Sequence, residues 1–180
     1  MHAVRRTKRR TCLFAPPALA AAILLTTACT AVPTVGGAED AAIEQAKAQF
    51  VEARDAFTEG IRSLPPEGFV AFAESGGFQA GGSFIGLSDD ELRQQRLGGT
   101  WTYQLSAAEE DGEGRLLTLI TADAETGGGL FYDHANVYAC IDFVFDLASK
   151  TLVDVEDTEC PQPILDIAPG DTLVSVDQFE

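Results

Sequence analysis

The sequence predicts an α+β fold, a long N-terminal helix packed on an antiparallel meander of about four strands. Three observations point there. Apolar residues recur at helical spacing between residues 39 and 64. From residue 101 onward they alternate, or run continuously, in the manner of strands. Turns bearing glycine and acidic residues, rather than further helices, separate those later runs.

Each element has its own warrant. Ile43, Ala46, Phe50, Phe57, Ile61 and Leu64 draw one stripe along a helix whose other positions are good helix formers. Glu39 and Asp40 suit its positive end, and Pro65-Pro66 stops it. Residues 66–74 read as a short helix closed by Gly76, and 76–86 as a loop that folds phenylalanines back onto the domain. Ser88, followed by Glu91, forms a capping-box pattern that opens a helix running to about Leu97. Trp101, Tyr103, Leu105 and Ala107 alternate with polar residues, giving a strand with one apolar face. Glu109 to Gly114 is a turn, and Arg115 to Thr121 is apolar on both faces, as a central strand is. Thr126 to Asn136 reads as a long connection or a bulged lead into the strand Val137–Leu147, which presents Ile141, Phe143, Phe145 and Leu147 on one face. Thr172 to Val176 is a candidate fifth strand. Helix followed by meander is similar in topology to cystatin-like and nuclear-transport-factor-like folds, which carries no function with it.

The first residues set where the domain works. A basic cluster, Arg5, Arg6, Lys8, Arg9 and Arg10, precedes an apolar run that ends in Thr26-Thr27-Ala28 before Cys29. Pro16 and Pro17 leave the run too short to span a bilayer. This layout resembles the signal and lipobox of bacterial lipoproteins. The resemblance covers the first 29 residues and implies a signal peptide at 1–28, a diacylglycerol (palmitate-type) anchor on Cys29, a flexible tether at 29–38 and a single domain at 39–180 on the outer face of the cell membrane. Ordinary signal-peptidase cleavage after Ala28, giving a secreted chain, is the rival reading of the same run, and Lys8-Arg9-Arg10 partly resembles a twin-arginine export motif. Sparse lysine and abundant alanine, glycine and arginine lean towards a high-GC, actinobacterial genome.

Cysteine usage agrees with export. Of the four cysteines, Cys12 lies in the signal and Cys29 at the lipid site, so Cys140 and Cys160 remain to pair as a disulfide. If Val153 and Val155 share the buried face of Phe143 and Phe145, parity requires a three- or five-residue loop after Leu147. Both cysteines then point to the outer face. Only the longer loop sets them directly opposite, within bridging range without a bulge or bend.

Charge narrows the partners. All 28 acidic residues follow Cys29 and five of the 12 basic ones precede it, so the processed chain carries a formal charge of −21. Such a surface repels phosphate backbones, which argues against nucleic acid. The outer face of the last hairpin gathers Asp142, Asp146, Asp154 and Glu156, a candidate site for a divalent cation, with Glu109, Glu110, Asp111 and Glu113 as a second. No calcium loop of the D-x-[DN]-x-[DN]-G type occurs.

Chemistry has few carriers here. After Cys29 there is one histidine, His134, with Tyr132 and Asp133 beside it to orient it. No G-x-S-x-G, S-x-x-K, P-loop or dinucleotide fingerprint accompanies it, and no cofactor is expected. Phe78 and Phe84, set among glycines that allow close approach of backbone, are the other binding candidates. The expectation is a non-enzymatic domain that acts through a protein or small-ligand contact. The alternative is a hydrolase using His134 or a carboxylate pair.

Overall fold

The computed structural model describes residues 37–128, 131–168 and 172–179. All fall within one compact unit, Pro33–Glu180. The signal peptide, Cys29 and the tether as far as residue 36 lie outside the described residues.

The first helix, α1 (Ala38–Arg62), buries Ala42, Ala46, Phe50, Ala53, Phe57 and Ile61. These lie three, four or seven residues apart, so they form one stripe. Alanine at its N-terminal half lets the helix backbone approach the sheet closely. It ends at Ser63, ahead of the proline pair, and the Lys150 ammonium donates to the Leu64 carbonyl at 2.7 Å just beyond it. Helix α2 (Phe69–Glu74) follows, and its first amide donates to the Glu109 carboxylate at 3.1 Å. Helix α3 (Asp89–Leu92) has the predicted capping box but is one turn long and does not reach Leu97.

The sheet corrects the expected four-stranded antiparallel meander. It has six strands and is mixed. Its centre is the meander β2 (Trp101–Glu110), β3 (Glu113–Gly128), β4 (Phe131–Asp146) and β5 (Thr151–Asp157). A short β1 (Gly82–Ser83) runs parallel to β2, and β6 (Thr172–Leu173) runs parallel to β4 beside Val137 and Tyr138. β6 falls within the candidate fifth strand Thr172 to Val176, whereas β1 lies in a glycine-rich segment that shows no strand period. The segment expected at 126–136 as a long connection or a bulged lead instead contributes Thr126–Gly128 to β3 and Phe131–Asn136 to β4, which pair without a bulge along 16 residues each.

Two register details depart from expectation. A bulge between Gln104 and Ser106 switches the faces of β2, so Tyr103 and Leu105 face away from α1 while Ala107 packs on its side. The polar Thr102 and Gln104 are therefore buried, and Gln104 Nε2 donates to the carbonyls of Phe78 and Ala80 at 2.8 and 2.9 Å. The β4–β5 turn has four residues, not three or five, because a second bulge expels Val153. Leu152 takes its place beside Phe145 and Val153 is exposed.

The inner face, under α1, holds the main core. Phe50, Phe57, Phe69, Phe78, Phe143 and Phe145 are all but inaccessible, and their rings meet in stacked, tilted and edge-on pairs with centroids 4.9–6.0 Å apart. Phe179 closes the far end by stacking on Phe50. On the outer face a smaller core forms from Leu92, Tyr103, Leu105, Leu119, Cys140 and Ile164. Ile164 comes from α4 (Gln162–Leu165), which the chain reaches by leaving β5 and crossing over the sheet.

Candidate functional site

The cysteine pairing is present. Cys140 and Cys160 are bonded with Cα atoms 5.3 Å apart. The register is the diagonal one, with Phe143 opposite Val155, and the Thr158 amide donates to the Cys140 carbonyl. A diagonal pair reaches bridging range because β5 ends at Asp157 and the chain bends back over the outer face. Cys140 is thereby buried in the smaller core rather than left on an open surface.

The sequence-predicted binding residues do not converge. Phe78 packs against Phe57, Phe69, Phe72 and Phe145 in the main core. Phe84 lies across the sheet, its ring stacked on Tyr103 at 4.9 Å. Between them the chain crosses the sheet edge at Gly81, whose φ of +68° and contact with the Thr102 carbonyl leave no room for a Cβ. The residues around His134 lie elsewhere, on the far half of the β3–β4 hairpin.

At that far end Asp133 has a structural task. Its Oδ2 accepts the Ala38 amide at 3.1 Å and so caps α1, whose N-cap residue, Gly37, has no side chain to do so. His134 is exposed and stands opposite Glu125 across the hairpin. It lines a polar cleft of about 370 Å³ with Glu39, Asp40, Asp133 and Asn136. Tyr132 is exposed, and the Glu125 carboxylate raises its phenol above the ordinary value, chiefly by accepting a hydrogen bond from it and then through partial burial and charge.

The acidic outer face is partly neutralised from within. Arg115 Nη1 lies 2.9 Å from Asp142 and 3.3 Å from Glu156, which face each other across β4 and β5. The hydrogen bonds to Asp142 and then Glu156 hold the guanidinium pKa above its ordinary value. Asp142 Oδ1 is buried and finds no partner among the described residues. Asp146 accepts the Ser149 amide at 2.8 Å in the β4–β5 turn, a bond that lowers its pKa, and Asp154 accepts the Val155 amide. Of the second acidic group, Glu109 caps α2, while Asp111 and Gly112 (φ 51° and 86°) form the two-residue turn between β2 and β3. Among the described residues no three His, Cys, Asp or Glu side chains are grouped to hold a metal ion.

One concave region was not singled out in the sequence. Tyr138, Leu173, Leu165 and the Cys160–Pro161 bend line a groove of about 830 Å³ on the outer face, with Asp157 and Glu159 at its rim. Leu173 stands beside Tyr138 in the β4–β6 register. Leu173 and Leu165 are 62% and 42% exposed, so this wall of the groove is apolar and uncovered. Trp101 and Tyr132, 50% and 62% exposed, occupy outer-face positions farther along the sheet. The sequence marks Thr172 to Val176 as a candidate strand, but nothing in it sets Leu173 beside Leu165. Only the pairing of β6 with β4 brings them together. No protein-family model, no curated protein and no solved structure matches the chain.

Proposed function

We propose that this chain is a lipid-anchored binding domain of the extracytoplasmic face of the cell membrane, tethered through Cys29 and non-enzymatic. The observation that carries the binding half is the gathering of two exposed leucines, Leu165 and Leu173, beside the half-buried Tyr138 in one groove on an otherwise strongly acidic molecule. Large apolar residues left uncovered in a concave site mark contact surfaces. The Cys140–Cys160 bond supports the address, since such bonds persist in oxidising compartments. Among the described residues no helix is long and apolar enough to cross a membrane.

The test has two arms. Metabolic labelling with an alkyne fatty acid is expected to mark the wild-type chain and not Cys29→Ala, with the label on the N-terminal peptide of the processed protein. A panel of ester and cell-wall substrates is expected to show no turnover that depends on His134. A hydrolase is the second reading, favoured by His134 facing Glu125 beside a polar cleft. Turnover abolished in His134→Ala would establish it and displace the first.

A further inference from the structure

We propose that the outer-face groove between β6 and α4 binds an extended polypeptide segment in which lysine or arginine alternates with aliphatic residues. This deepens the binding reading and rests on it. The floor and wall are apolar, formed by Tyr138 from β4, Leu173 from β6 and Leu165 from α4 beside the disulfide bend. These side chains would lose contact with water only beneath an apolar occupant.

The charged part is the rim. Asp157 and Glu159 are exposed there, and among the described residues no lysine, arginine or histidine lines the groove. Of the seven lysines and arginines after Cys29, none lines the groove, and four are engaged elsewhere. Arg62 pairs with Glu59, Arg93 with Asp90 and Asp166, and Arg115 with Glu113, Asp142 and Glu156, while Lys150 holds the Leu64 carbonyl. The field over the groove is therefore negative and locally uncompensated, and it complements a cation carried on an apolar stem. A second copy of the chain would bring the same acidic rim against this one. An anionic lipid surface is repelled for the same reason.

Among the described residues β6 pairs with β4 alone, so Leu173 has no second strand beside it on the other edge. An extended peptide pairing with that edge points alternate side chains to opposite sides. One set enters the apolar floor and the cationic set reaches the rim. Sequence alternation in the partner is the signature that this geometry selects.

The experiment uses the full chain in a non-ionic detergent and fluorescently labelled peptides of about a dozen residues, one alternating Leu and Lys, one Ser and Lys, and one Leu and Glu. Saturable binding of the Leu/Lys peptide is expected, at least about tenfold tighter than either control, and weaker by at least about tenfold in Leu165→Ser/Leu173→Ser. Val153→Ser, which removes an exposed apolar side chain of β5 outside the groove, is expected to leave it unchanged. Glu159→Gln is expected to weaken binding about threefold and to flatten its salt dependence. All the substituted side chains are exposed, so melting curves of the variants should overlay the wild type. Equal binding of the Ser/Lys peptide would show general charge attraction and overturn the proposal, as would Leu/Lys binding indifferent to the leucine pair, or no saturable binding. Failure here with Cys29 labelled and the substrate panel silent removes only the peptide. Histidine-dependent turnover removes the binding reading itself.

Discussion

The two faces of the sheet are closed by different means. On the inner face a 25-residue helix lays one continuous stripe over β3 and β4, and phenylalanines from the helix, the following loop, β4 and the C-terminal turn fill the space between. On the outer face the cover is two one-turn helices, α3 and α4, that meet through the Arg93–Asp166 pair at 3.0 Å and are tied to the sheet by Leu92, Ile164 and the disulfide. A helix of one turn has almost no stability of its own, because its nucleation cost is not repaid by propagation. The long helix needs only burial to stay in place, whereas the short ones need pins. What the pins leave uncovered is the groove beside α4.

That contrast is most directly broken from the inner side. Phe57 touches Phe78 and Phe143 edge-on at 5.6 and 4.9 Å and is inaccessible to water. Phe57→Ala is expected to cost about 3–5 kcal/mol, measured by denaturant unfolding as one cooperative transition. Next in size is the outer pin. Cys140→Ser/Cys160→Ser frees the loop that the bond closes and is expected to cost about 3 kcal/mol. Hydrogen exchange should then accelerate at residues 158–168 while amides of α1 stay protected. Equal acceleration on both faces would mean that they open together and that the contrast is one of appearance only. Asp133→Ala removes the cap of α1 and is expected to cost about 1 kcal/mol, with fraying confined to the first turn of the helix.

How far each face could be read from the sequence follows the same division. The stripe from Ala46 to Ile61 and the alternation through Ile141, Phe143 and Phe145 are periodic, and periodicity reports burial against a single large surface. The inner core was therefore legible, and so was the bond between Cys140 and Cys160, from a count of cysteines. The outer face is assembled from bulges, a bend and strands of two residues, of which only the one within Thr172 to Val176 is marked in the sequence. The bulge at Leu105 turns an apparent half-buried strand into one covered on both faces, and the bulge at Val153 replaces it with Leu152 beside Phe145. Asp133 illustrates the limit for site residues. In the sequence it neighbours the only histidine of the domain and reads as its orienting acid. In the fold it caps a helix 95 residues away.

The finest distinction between the faces lies in the ion pair that joins α3 to α4. The hydrogen bond from Gln162, and after it the one from Arg93, hold the Asp166 carboxyl below its ordinary value of 3.8. A carboxylate whose pKa is depressed by folding stabilises the folded state above the unfolded value, and this contribution is lost as pH falls through the folded value. The melting temperature of Asp166→Asn should therefore lie slightly below that of the wild type at about pH 7, and the two should converge as pH falls below 3.8. Both partners are 40% exposed, so the difference at neutral pH should be smaller than any of the effects above and should shrink with added salt. Exchange at α4 is expected to quicken with it, and exchange under α1 is not. If Asp166→Asn instead loosened the outer face as far as loss of the disulfide does, the ion pair rather than the covalent bond would be what keeps the short helices down, and the groove would be open or closed according to pH.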